Sequence, residues 1–329
     1  MGFLLSLFFG FVPMFFFAYI LYWLDRYEKE PKILLGGVFL WGMLVAAGGA
    51  FIVNTLLGLG VYIFTGSEFA SEITTGSIIA PVVEECLKGF AILVVFLVFR
   101  QEFDNVLDGI VYAGITALGF AATENTYYIY NYGFLESGYE GLIWLIFVRV
   151  ILVGWQHPFY TAFIGIGLAL ARLNRQTWVK ILAPAAGLGL AIFAHSMHNT
   201  LASLMSGLGG LLFGTFLDWT GWFFMFITIL VAQARERRWM RQHLREEVAS
   251  GLISAAQYHT ACSGMAQMVA RFASLFSGNY RVTNRFYHLA AELAYKKQHY
   301  ALLGEEHGNI LLIQRARNEL ARLASRARA

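Results

Sequence analysis

The chain has 329 residues, of which 58% are hydrophobic and 14% charged, and its formal net charge is +3. Soluble domains carry about 45–50% apolar and about 25% charged residues, so this composition excludes an ordinary soluble protein and indicates an integral membrane protein. Only Cys86 and Cys262 are present, which excludes a disulfide framework and a site of paired zinc-binding cysteines.

Seven apolar segments are long enough to cross a bilayer, which requires about 20 residues each. They are 3–23, 34–64, 76–100, 108–130, 141–171, 178–205 and 209–233. Lys and Arg lie in or beside every second connection between them, and such connections face the cytoplasm. The sequence therefore predicts an all-α, polytopic bundle of about seven transmembrane helices, with its N-terminus outside and its C-terminus inside.

Residues 234–329 differ from the rest of the chain. They hold 15 Lys and Arg against 7 Asp and Glu, whereas residues 1–233 have a net charge of −5. Apolar residues recur at helical spacing in 289–304 and 309–329. We therefore predict a transmembrane domain over 1–233 and a basic cytoplasmic tail of about three or four amphipathic helices over 234–329. The tail is expected to meet anionic lipids, and it carries no nucleic-acid-binding motif.

Ionisable side chains at membrane depth are costly and rare, so each one is a functional candidate. The third segment contains Glu84, Glu85 and Lys88. Lys88 follows the two carboxylates by four and three residues, which on a helix places it on their side. Adjacent side chains point about 100° apart, so the two carboxylates are expected to have different roles.

The next three segments add further polar groups. Glu124 lies in the fourth segment, His157 lies beside Pro158 in the fifth, and the sixth contains three more polar residues. The last set is His195, His198 and Asn199, whose spacings of three and four place them together on a helix.

Depth indicates that these groups converge. With the N-terminus outside, Glu84, Glu124 and His195 lie about 9–15 Å from the outer end of their segments.

Carboxylates and neutral imidazoles bind zinc and leave a position open for water. The metal lowers the pKa of that water to about 7, and a nearby Glu acts as the base. A metal-free site also fits, in which Glu activates water while histidines and Asn stabilise the oxyanion.

Two other functions compete with hydrolysis. Buried carboxylates and histidines form the relay of proton- or ion-coupled transporters, but the chain lacks the inverted repeats many carriers show. A non-catalytic scaffold conflicts with the retention of so many costly groups.

Four motifs in order resemble the PrsW-type intramembrane proteases, relatives of the CAAX prenyl endopeptidases and the bacterial immunity proteins of one superfamily. Glu84-Glu85-Cys-Leu-Lys88 fits EExxK, and Phe120-AAT-Glu124-NTY-Tyr128 fits FxxxExxxY. His157 follows on the next segment, and His195-SMH-Asn199 fits HxxxN. The resemblance covers roughly residues 10–230 and leaves out the tail.

This resemblance implies roles for the motif residues. Glu84 and Glu85 would supply the catalytic base and a second carboxylate, and Lys88 would tune them. Glu124, His157 and His195 would bind a metal, with zinc suspected, or orient water. Asn199 would be an oxyanion donor or ligand, and His198, which is not a motif position, is a further candidate ligand.

The resemblance also implies a biological setting. The protein would be a multi-pass protease of a prokaryotic cytoplasmic membrane. Its substrate would be a single-pass membrane protein, such as a membrane-anchored anti-sigma factor, cut near the outer face of the membrane.

Overall fold

Helices are the only regular secondary structure in residues 1–27, 29–205, 207–305 and 308–327, the parts of the chain that the computed structural model describes. This confirms the all-α class. The chain divides into two compact units. The first comprises Met1–Leu24, Glu30–Ala171 and Trp178–Thr228, and the second comprises Asp25–Lys29, Arg172–Thr177 and Ile229–Ala329.

The first unit is built from long apolar helices. They are α1 (Gly2–Leu24), α2 (Lys32–Thr65), α3 (Glu68–Thr74), α4 (Ala80–Val98), α5 (Val106–Tyr128), α6 (Leu135–Ile146), α7 (Gln156–Arg172), α8 (Thr177–Leu204) and α9 (Gly207–His243), whose C-terminal part belongs to the second unit. π-Helical turns lie within α2 at Trp41–Ala46 and join α3 to α4 at Thr75–Ile79.

Five helical stretches of the described chain are long and apolar enough to cross a membrane. They are Gly2–Leu24, Lys32–Thr65, Val106–Arg172, Thr177–Leu204 and Gly209–Ala249. The predicted segments 108–130 and 141–171 both lie in the third stretch. The predicted segment 76–100 corresponds to α4, which carries three charged residues. The count of seven spans and the orientation stay predictions.

The stretch Val106–Arg172 is bent at two places. Gly138 has φ 62° and ψ −142° and interrupts the helical geometry of α6. Residues 153–155 leave the helix, which resumes at Gln156. Pro158 therefore lies in the first turn of α7, where its missing N–H costs no hydrogen bond. This break places His157 at the start of a helix.

Helix α5 is the buried centre of the first unit. It begins with a capping box between Asn105 and Asp108, and every residue from 107 to 122 is buried. Gly109 allows the backbone of α7 to approach, since a Cβ there would lie 2.3 Å from the carbonyl oxygen of Gly165. Small residues at such contacts are typical of packed membrane helices, and this one holds α5 against α7.

The second unit has a core of its own. Its helices after α9 are α10 (Arg245–Ala249), α11 (Ala255–Ala261), α12 (Gly264–Phe276), α13 (Tyr280–Leu303) and α14 (Asn309–Ala324). Trp239, Met240, Phe286 and Tyr287 are among the buried residues that form one apolar cluster. The described part of this unit thus has five helices after α9, against the predicted three or four, and two of them, α10 and α11, are short, with 5 and 7 residues.

Candidate functional site

Helix α4 turns three charged side chains toward the interior of the first unit. Glu84 is 6% exposed, while Glu85 and Lys88 are completely buried. Lys88 Nζ lies 2.5 Å from Glu85 Oε1 and 3.9 Å from Glu84 Oε2. The ammonium group therefore forms its hydrogen bond with Glu85, and the two adjacent carboxylates are not equivalent.

Both carboxylate oxygens of Glu85 have partners. Oε1 accepts a hydrogen bond from Lys88 and lies 2.9 Å from His195 Nδ1, and Oε2 accepts a hydrogen bond of 2.8 Å from Thr161 Oγ1. A carboxylate with this many donors is suited to orienting its neighbours, and it is a poor acceptor for a proton from water.

Glu84 presents the opposite case. Its Oε2 is buried and has no hydrogen-bond partner among the described residues. His195 Nε2 is 3.8 Å away from it. A buried acceptor without a partner costs about 1–3 kcal/mol, so this oxygen is positioned for a cation or a water molecule.

Two imidazoles face that oxygen. Glu84, His157 and His195 each offer one ligand atom, and the three atoms lie within 4.8 Å of one another. The rings of His157 and His195 meet edge to face, with centroids 5.2 Å apart. One carboxylate and two imidazoles are the protein ligands of many catalytic zinc sites, so the donor set and the orphaned oxygen both fit a metal.

The partners of each histidine determine which nitrogen faces the site. Glu85 accepts from His195 Nδ1–H, which leaves the Nε2 lone pair toward Glu84. Glu124 Oε2 lies 2.8 Å from His157 Nε2, and Lys88 Nζ lies 3.5 Å from His157 Nδ1. Each ring therefore has a carboxylate on one nitrogen, as metal-binding histidines usually do, and the other nitrogen of His157 faces the Lys88 ammonium.

Glu124 lies beside His157 and outside the three-residue group. Its Oε2 also forms an ion pair with Arg149. The Arg149 guanidinium donates to Asn125 Oδ1 at 3.0 Å and stacks 4.0 Å from the Tyr128 ring. The FxxxExxxY motif is thus organised around a cation from the following segment, and Glu124 Oε1 takes no part in these contacts.

His198 and Asn199 point elsewhere. His198 Nδ1 lies 2.8 Å from Asp218 Oδ2, and Asn199 Nδ2 donates to the carbonyl oxygen of Gly76 at 2.9 Å. The amide of Asn199 therefore joins α8 to the turn before α4. Within the described chain, neither residue belongs to the group formed by Glu84 and the two histidines.

Sequence reasoning missed Asp218. This residue is 2% exposed, and its Oδ1 accepts a hydrogen bond of 2.9 Å from Tyr160. The Tyr160 ring stacks on His195, with centroids 5.0 Å apart and planes at 22°. A lone carboxylate inside the apolar segment 209–233 was the available signal, since an ionisable group at that depth is a functional candidate.

The fold and the site together define a class of protein. It is an all-α membrane protein whose helices α4, α7 and α8 bring a carboxylate and two imidazoles into one buried centre suited to activating water.

Comparison with known proteins identifies the family. Residues 30–233 match the model of the PrsW family of intramembrane metalloproteases. Protease PrsW of Geobacillus kaustophilus is 29% identical over 183 residues, which is 54% of this chain and 70% of that protein. Protease PrsW of Clostridioides difficile is 35% identical over 107 residues, 32% of this chain and 43% of that protein. No solved structure matches significantly.

The chain therefore belongs to the PrsW family and is an intramembrane protease. This confirms the resemblance that the four motifs carried. The match begins in the described chain at Glu30 and ends at Gln233, so the basic tail lies outside the family match.

Proposed function

We propose that the protein is a metal-dependent endopeptidase of a prokaryotic cell membrane, which it crosses several times. Its substrate is a single-pass membrane protein, with an anti-sigma factor as the candidate class, cut close to the outer face. The observation that carries the proposal is the unpartnered Glu84 Oε2 between two imidazoles. The family description, an intramembrane metalloprotease, supports the metal.

Glu84, His157 and His195 would hold the metal. When bound there, the ion would supply Lewis-acid polarisation and lower the pKa of a water molecule to about 7. Zinc is the metal we suspect, because neutral imidazoles and a carboxylate are its ordinary ligands. Glu85 and Glu124 fix the two imidazoles by accepting hydrogen bonds from their outward nitrogens.

If Glu84, His157 and His195 bind the metal, a different carboxylate must transfer the proton. We assign this role to Glu124, because its contacts with Arg149 and His157 both use Oε2 and leave Oε1 available. In a metal-free site, Glu84 would take this role, since its Oε2 is the unpartnered acceptor. Lys88 balances the charge of Glu85 beside His195.

The test compares wild-type protein with Glu84→Gln, which keeps the shape of the side chain and removes the charge. Glu72→Gln is the matched control, because Glu72 is exposed on α3 of the same unit. The membrane proteins of cells that express each form are compared for new N-termini. Purified proteins are compared for bound metal by elemental analysis.

We expect new termini and bound metal in the wild type and in Glu72→Gln, and neither in Glu84→Gln. Identical termini in all three forms would remove the protease assignment from Glu84. Cleavage by a wild-type enzyme that contains no metal and resists chelators would instead establish the metal-free site.

A further inference from the structure

A basic cleft lies in the second unit, outside the family match. Its volume is about 670 Å³, and its polar lining comes from Arg237, Arg241, Arg245, Tyr258, His259 and Cys262. This size is within the range of about 300–1,000 Å³ usual for ligand pockets. In the sequence these arginines are part of a basic tail, and the fold gathers them around one space.

Helical spacing explains why three arginines share the cleft. Arg237, Arg241 and Arg245 are separated by four residues, so they lie on one face where α9 ends and α10 begins. Two contacts tie this face to the helix opposite. Arg237 Nε donates to the carbonyl oxygen of Cys262 at 3.0 Å, and the Tyr258 hydroxyl donates to the carbonyl oxygen of Arg241 at 3.0 Å.

The two carboxylates that follow Arg245 pair away from the cleft. Glu246 and Glu247 follow Arg245 directly, but they pair with Lys297 at 2.5 and 2.8 Å. Arg317 adds a second cation to Glu247 at 2.7 Å. In the described residues of this unit, the ion pairs thus draw the acidic groups of α10 toward α13 and α14, and they leave the positive charge on the cleft side.

The three guanidinium groups act on a common point. Burial raises the pKa of the Cys262 thiol, whereas a hydrogen bond with Tyr258 and the charges of Arg241, Arg237 and Arg245 oppose that rise. The charges of all three arginines therefore act on Cys262, one of the residues that line the cleft, and they would stabilise a bound anion in the same way.

We propose that this cleft binds a phosphate group, and that its source is the headgroup of an anionic phospholipid. Guanidinium groups match phosphate oxygens with two parallel hydrogen bonds. In the sequence, Arg237 follows the end of the apolar segment 209–233 by four residues, the position at which basic side chains meet anionic headgroups. The site is independent of peptide hydrolysis and stands whether or not the proposed metal is bound.

The experiment uses the full-length protein in neutral detergent, titrated with short-chain phosphatidylglycerol, short-chain phosphatidylcholine and inorganic phosphate in separate arms. The test variant is Arg237→Gln/Arg241→Gln/Arg245→Gln. The control is Arg281→Gln/Arg315→Gln/Arg322→Gln, which removes the same charge from exposed positions of the same unit that do not line the cleft.

We expect phosphatidylglycerol to bind the wild type and the control alike and the cleft variant at least about tenfold more weakly, since each arginine near a headgroup contributes measurably. Phosphatidylcholine should bind weakly to all three. Tight binding of inorganic phosphate that competes with the lipid would assign the cleft to soluble phosphates and overturn the lipid source. Equal weakening in both triple variants would overturn the site, because diffuse charge would then explain the binding.

Folding is checked by the melting temperature of each variant. If the triple cleft variant unfolds, Arg241→Gln/Arg245→Gln replaces it, because this pair keeps the hydrogen bond from Arg237 to Cys262. Undiminished phosphatidylglycerol binding by the folded double variant would count against the proposal.

Discussion

His195 Nδ1 lies 2.9 Å from Glu85 Oε1, and this contact joins the first and last motifs of the family match across helices α4 and α8. Glu85 thereby directs the other imidazole nitrogen toward Glu84, whose Oε2 is 3.8 Å away. The two adjacent glutamates of EExxK consequently differ: Glu85 orients a histidine, and Glu84 lies with His157 and His195 in one buried group.

This division predicts different consequences for the two glutamates. Glu85→Gln removes the nearer charge partner of the buried Lys88 ammonium and leaves Glu84 at 3.9 Å, which costs up to about 3–5 kcal/mol. It also weakens metal binding about 10- to 100-fold through His195. Glu84→Gln removes a ligand and leaves stability near that of the wild type. Melting temperature and metal titration measure the two effects, and Glu85→Gln/Lys88→Met should recover stability. Equal destabilisation by both single changes would contradict this assignment.

Asp218 is predicted to act on the reaction through Tyr160. The hydrogen bond from the Tyr160 hydroxyl holds the ring that stacks on His195. Asp218→Ala removes the acceptor that holds the Tyr160 hydroxyl, so we expect the cleavage rate constant to fall about tenfold with unchanged metal content. Thr220→Val, at an exposed position of α9, is the control. If the rate constant falls in both variants, or falls in neither, Asp218 has no such role.

Close packing of α5 on α7 is predicted to tolerate no side chain at Gly109. The added Cβ of Gly109→Ala would lie 2.3 Å from a backbone oxygen of Gly165, so the helices must move apart. We expect a loss of about 1–3 kcal/mol in the free energy of unfolding. Gly189→Ala, where nothing lies within 4 Å of the new Cβ, should be neutral or stabilising. Thermal unfolding in lipid–detergent micelles compares the two.

Acid is predicted to loosen the second unit through His288. Burial, reinforced by Arg285 and Arg271, lowers the pKa of this imidazole from its ordinary value of 6.5. The unfolded state therefore binds the proton first, and the stability that His288 contributes is complete above pH 6.5 and is lost as pH falls through the folded pKa. Hydrogen-exchange protection factors of α13 in the full chain should drop from pH 8 to pH 5, and His288→Gln should reduce that drop.

The membrane class, the helical segments and the motif residues were all predictable from the sequence. The length of an apolar segment, the charge of the connections and the spacing of motif residues are local properties of the sequence. Residues three or four apart lie on the same face of a helix whatever the rest of the molecule does. Placing Lys88 on the side of Glu84 and Glu85 needed no tertiary information, and the three residues lie as that spacing requires.

Only the tertiary structure decided which residues meet. The resemblance implied that Glu124, His157 and His195 bind a metal or orient water; in the structure Glu84 lies with the two histidines, and Glu124 contacts His157 and Arg149. The partnership of Asp218 with Tyr160 and His198 also required the fold. The rotation of each helix about its axis determines which side chains meet. Contacts such as that between Gly109 and Gly165, which are 56 residues apart in the chain, set that rotation. Spacing along one helix carries no information about that angle.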